Sequence, residues 1–160
     1  MQDLVAIATP IAAKLVARKQ TIAVAESSTG GLICAALLAV PGASAYFLGG
    51  AVVYTRKARR VLMDVADDAM NDIRSASEPY PKLLANQVRR RFASDWGLSE
   101  TGATGPTGNR YGDAAGHSCM AVAGQQMSVI TLETRSNDRV GNMQAFAATA
   151  LKLLLTELDR

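Results

Sequence analysis

This 160-residue sequence has one histidine, two cysteines, and only 5% aromatic residues. A zinc site needs three or four ligands, and one His with two scattered Cys does not supply them. Cys34 and Cys119 lie far apart and neither has a CxxC neighbour. Both read as small buried thiols, not as a redox pair. The lone histidine, His117, falls in a run that reads as a strand, where a packing role outweighs a catalytic one. No apolar run reaches the roughly 18 residues needed to span a bilayer. Asp3 comes early, and no basic start precedes an apolar core, so the amino terminus does not read as a secretion signal. A cytoplasmic protein with no membrane partner is predicted.

What is present is a globular composition. The hydrophobic fraction is 49% and the charged fraction 19%, enough for a sizeable core built mostly of Ala, Val, Leu and Met. No linker or internal repeat appears, so residues 1–160 read as one domain. The net charge is +3, with basic clusters at 56–60 and at Arg89, Arg90 and Arg91. The second cluster reads as a solvated helix face. No interleaved aromatics support a nucleic-acid platform, so nucleic acid is not an expected partner.

Periodicity gives the element order. Asp3 to Arg18 has helical spacing, with Pro10 expected to kink or split it. A strand spans 21–26, a helix follows to about Ala39, and a turn lies at Pro41–Ser44. A second strand covers Tyr46 to Tyr54, then a short helix 56–63 and an irregular stretch 64–77. Glu78-Pro79 opens a helix to about Trp96, and Gly97–Thr101 forms a short strand. Two strands, about 115–123 and 127–134, imply a hairpin, and Asn137 or Asp138 caps a last helix. Early alternation and a late hairpin predict an α/β protein, a three-layer α/β/α sandwich with a mixed sheet.

The most informative stretch is 21–31, TIAVAESSTGG. A strand stops at Glu26, passes through Ser27, Ser28, Thr29, Gly30 and Gly31, and enters a helix. Free N–H groups at a helix start suit an anion such as phosphate. An ordinary N-cap reads the same way. A second small-residue loop, 102–109, holds three glycines and a proline. Ligands in open α/β sheets bind beyond the carboxyl ends of strands, where both loops emerge. A small phosphorylated ligand is the expected partner. With no suitable histidine, serine hydrolysis would need a lysine of lowered pKa or a group on the ligand.

These motifs resemble the CinA carboxy-terminal domain family, whose catalytic members are nicotinamide-nucleotide amidases. AESSTGG at 25–31 resembles the family's AES-C/S-TGG. VPGASAYF at 40–47 resembles V-P-G-S-S-A-x-F, and GGAVVYT at 49–55 resembles G-G-V-V-x-Y-S. Ser77-Glu78-Pro79 resembles V-S-E-P, 101–106 resembles S/T-G-I-A-G-P, and Asp138-Arg139 resembles a G-D-R. The resemblance implies the family's fold, which larger members join to an additional amino-terminal domain. It implies hydrolysis of the carboxamide of nicotinamide mononucleotide (NMN), giving nicotinic acid mononucleotide and ammonia. It implies a Ser/Lys dyad, no metal or cofactor, and a homo-oligomer. Carried over by position, Ser27 and Ser44 are the candidate nucleophiles, and Tyr54 a site tyrosine. Arg139 matches an arginine suited to a phosphate. Glu26, Ser28, Thr29, Gly30, Gly31, Thr101, Gly102, Thr104 and Gly105 are the candidate ligand-binding residues. The two loops are expected to line one pocket with Ser44, Tyr54 and Arg59.

Two departures stand out. Family enzymes read Y-S-N-E-A-K where this chain has Tyr54-Thr55-Arg56-Lys57-Ala58-Arg59, so the lysine position holds Arg59. A guanidinium, with a pKa above about 12, is no base near neutral pH. The activity expectation therefore divides between slow hydrolysis and binding alone. The family's K-P-V-G loop end is also changed. Asp113 stands in place of a lysine and is expected to repel a nearby phosphate.

Overall fold

The computed structural model describes all 160 residues. Five helices and five strands follow in the order α1 (Gln2–Arg18), β1 (Ile22–Glu26), α2 (Leu32–Leu38), β2 (Phe47–Val52), α3 (Arg56–Met63), α4 (Pro79–Phe92), β3 (Trp96–Ala103), β4 (His117–Ala123), β5 (Met127–Glu133) and α5 (Arg139–Leu158). The sheet runs β2-β1-β3-β4-β5. β2, β1 and β3 are parallel, while β4 and β5 form the expected antiparallel hairpin. The α/β sandwich read from the sequence is the fold observed.

β1 shows why the layers form. All five of its residues are buried, as in a parallel strand covered on both faces. Ile22 and Val24 join a core with α1, α2 and α5. Ala23 and Ala25 turn the other way, towards Leu84 and Val88 of α4. The α4 side is lined with small residues, so that helix approaches closely. A Cβ on Gly97 would stand 2.1 Å from the Ala85 carbonyl oxygen. No helix is long and apolar enough to cross a membrane.

Three local expectations change. Pro10 does not split α1, which runs unbroken through it. Pro10 and Ala6 are both exposed, so the carbonyl that loses its N–H partner faces water. α4 ends at Phe92 instead of Trp96, because Ala93 turns into the left-handed region at φ 49° and closes the helix. Trp96 is thereby released to start β3, where it pairs with Ile22.

Candidate functional site

The carboxyl ends of β2, β1 and β3 lie side by side, and a cavity of about 560 Å³ opens there. Ser27 follows β1, Tyr54 follows β2, and Thr101 and Gly102 end β3; all four line the cavity. Arg56 and Arg59 come from α3, where Thr55 caps the helix by accepting from the Ala58 N–H at 3.1 Å. Ser75 and Ala76 face the cavity from the segment ahead of α4, Tyr80 from the first turn of α4, and Asn109, Arg110 and Tyr111 from the β3–β4 loop. Every charged residue in this lining is an arginine.

The hydroxyl-rich turn does hold an anion, but the anion is internal. Glu100 of β3, fully buried, accepts from the Ser27 and Thr29 N–H groups at 3.2 and 3.0 Å. It also accepts from Thr29 Oγ1 and Ser118 Oγ, each at 3.0 Å, and from Ser28 Oγ. Burial holds the Glu100 carboxyl above its usual range, and the hydrogen bonds from Ser28, Thr29 and Ser27 offset only part of that rise. Glu26 accepts from Ile33 and Cys34 N–H at 3.2 and 3.0 Å, so it caps α2. Burial, with Glu26 adjacent, pushes the Cys34 thiol far up. The expected phosphate seat at the α2 start is thus occupied by carboxylates. Glu26, Ser28 and Thr29 are buried parts of the turn, not ligand-facing groups. Gly30 and Gly31, at φ +64° and +104°, let the turn close and lie outside the cavity lining.

Other expected residues also separate from the cavity. Ser44 sits exposed in a 3₁₀ turn, Ala43–Ala45, before β2. Phe47 pairs with Ile22, which puts this turn at the amino ends of the strands, opposite Ser27. Thr104 and Gly105 dock the loop onto α5: their carbonyls accept from Asn142 Nδ2 at 2.9 Å and Arg139 Nη1 at 2.6 Å. Arg139 therefore holds a loop. Asp113 does not line the cavity; it pairs with Arg74 Nη1 and Nη2 at 2.5 and 3.0 Å. That hydrogen bonding, with Asn109 and His117 nearby, keeps its carboxyl below the usual range despite burial. The repulsion expected of it is neutralised.

Arg59 is buried, 4% exposed, and its guanidinium forms an ion pair with Asp67. Its Nε is buried without a partner. Burial raises the Tyr80 phenol, while the adjacent Arg59 lowers it. Lys57, the lysine nearest in sequence to Arg59, is exposed and does not line the cavity. No three His, Cys, Asp or Glu side chains come together as a metal cage.

Sequence reasoning missed Glu100, Arg110, Tyr111 and Tyr80. The one charged residue in the β3 run was a visible signal for Glu100. Arg110 and Tyr111 depend on how the β3–β4 loop folds back over the sheet, and Tyr80 on how α4 packs against it, which spacing does not reveal.

Comparison with known proteins accords with this arrangement. The CinA C-terminal domain model matches residues 5–158. A CinA-like protein of Gloeobacter violaceus is 43% identical over 118 residues, covering 74% of this chain and 28% of that protein. One from Synechococcus sp. (strain CC9902) is 42% identical over 107 residues, covering 67% and 26%. The chain thus spans about a quarter of the length of these curated relatives. Among solved structures, a CinA superfamily protein from Klebsiella pneumoniae is 25% identical with a TM-score of 0.90, covering 98% of both chains. A competence/damage inducible protein from Agrobacterium tumefaciens is similar to the same degree, 25% and 0.90, covering 99% of this chain and 96% of that one. With fold, motif order and family model in agreement, the chain belongs to the CinA C-terminal domain family.

Proposed function

We propose that the cavity binds a small phosphorylated nucleotide carrying a carboxamide, of the NMN type, and hydrolyses that amide slowly. The observation that carries this reading is the meeting of Ser27, Tyr54 and Arg59 at the carboxyl ends of three parallel strands. Ser27 is the nucleophile of choice, because Ser44 lies at the other end of the sheet. Attack by the Ser27 hydroxyl on the amide carbon would release ammonia and leave an ester for water to cleave. That step needs a group to take the hydroxyl proton. Arg59 stays charged and is tied to Asp67, so it serves charge stabilisation and not proton transfer. A missing general base costs about 10²–10⁴ in rate.

Ammonia release from NMN tests the reading. Wild-type protein should bind NMN yet turn it over slowly. Arg59→Lys should raise turnover about tenfold or more, since burial lowers the pKa of a lysine there. Ser27→Ala should abolish the residual rate, and Ser44→Ala should leave it unchanged. Brisk wild-type turnover that survives Arg59→Ala would show that the base lies elsewhere. The Arg59–Asp67 pair also favours a second reading, binding without chemistry. NMN binding with no ammonia from either wild type or Arg59→Lys would select it.

A further inference from the structure

Two guanidinium groups at the cavity have no carboxylate partner. Arg59 and Arg60 share Asp67, and Arg74 is held by Asp113. Arg56 and Arg110 are exposed, line the cavity, and take part in no ion pair. No acid in the lining offsets them. Arg110 is also held in place: its Nη2 donates to the Tyr111 hydroxyl at 2.9 Å, and its guanidinium lies 5.0 Å from the Tyr111 ring centre. The alternative anion seats are filled, since Glu100 and Glu26 take the α2 turn and Arg139 grips Gly105.

We propose that Arg56 and Arg110 seat the terminal phosphate monoester of the ligand at the exposed rim of the cavity. This rests on reading the cavity as a nucleotide site, and it deepens that reading by naming the phosphate partners. A monoester carries about −1.5 to −2 charge at neutral pH, which two uncompensated guanidiniums match. The planar fork of each arginine suits phosphate oxygens in a bidentate contact. The Tyr111 hydroxyl is a third polar contact at the same place. Its pKa is lowered by the Arg110 hydrogen bond, against the effect of burial, with Ser75 and Arg56 adding to the lowering. Such a rim selects a nucleotide over its nucleoside, and a monoester over a cyclic diester with half the charge.

Isothermal titration of the full chain with NMN, nicotinamide riboside and ribose 5-phosphate tests this seat. Arg56→Gln and Arg110→Gln should each weaken NMN by about tenfold or more, the usual loss of a charge-assisted contact. Nicotinamide riboside should bind weakly and be indifferent to both changes. NMN held equally by wild type and both variants overturns the phosphate seat and leaves the nucleotide reading standing. Affinity lost only in Arg139→Gln moves the phosphate to α5 and also overturns it. Ribose 5-phosphate bound through Arg56 and Arg110 without NMN binding upholds the seat and refutes the pyridine nucleotide. No binding of either phosphate overturns both. Circular dichroism of these exposed-site variants distinguishes lost binding from lost folding.

Discussion

Glu100 decides the chemistry of the turn at residue scale. Its carboxyl accepts at once from the half-buried Ser27 N–H and the buried Thr29 N–H. Removing it leaves those donors and the buried Ser28 hydroxyl without an acceptor, while Ser118 Oγ keeps the Thr101 carbonyl at 3.1 Å. An unsatisfied buried donor costs about 1–3 kcal/mol, so losing the acceptor of the Thr29 N–H and the Ser28 hydroxyl in Glu100→Ala should destabilise the fold by at least about 2 kcal/mol. Urea unfolding reads this directly, and a loss below about 1 kcal/mol would mean water replaces the carboxyl freely. The sequence displays the hydroxyls and reads as a seat for a ligand phosphate, a seat the Glu100 carboxyl occupies. It did not show that an acid 73 positions beyond Ser27 fills it, because that pairing follows from the register of β1 with β3.

Loops and strands meet around His117 at the scale of elements. Its Nε2 faces the Ala76 carbonyl at 2.8 Å, ahead of α4, and its Nδ1 faces Glu133 of β5. Both partners are acceptors, so only the doubly protonated imidazolium satisfies both contacts. Burial lowers the His117 pKa, but Glu133, the Ala76 carbonyl and Asp113 outweigh it and raise the value above the usual 6.5. A raised pKa means that the folded state binds the proton more tightly. The contribution is complete below the ordinary imidazole value and is lost as pH rises through the raised one. Stability should therefore fall as pH climbs from about 6.5, and His117→Gln should flatten that slope. Denaturation midpoints across this range check it, and an identical slope in wild type and variant would assign the titration to another group. Ala76 belongs to the cavity lining, so the same contact steadies that rim.

For the whole molecule, layer order and hairpin were legible because apolar spacing and turn residues are local signals. The boundary of α4 was not, since Ala93 adopts a left-handed φ that its side chain does not announce. The motif residues marked the right end of the sheet for Ser27, Tyr54, Arg59, Thr101 and Gly102. The motif match alone puts Ser44 in the pocket, although a turn that precedes β2 lies at the amino end of that strand, opposite Ser27. Gly97 shows how tightly the layers are set: Gly97→Ala should destabilise by about 1–3 kcal/mol or more, as overpacking against the Ala85 carbonyl demands. A thermal midpoint unchanged by that substitution would show that α4 moves away easily. A crystal structure of the chain with NMN tests the central claim most directly. The phosphate should lie against Arg56 and Arg110, with the carboxamide within reach of Ser27 Oγ. Phosphate density at Gly30–Gly31 or Arg139, or ligand on another face of the sheet, would contradict it.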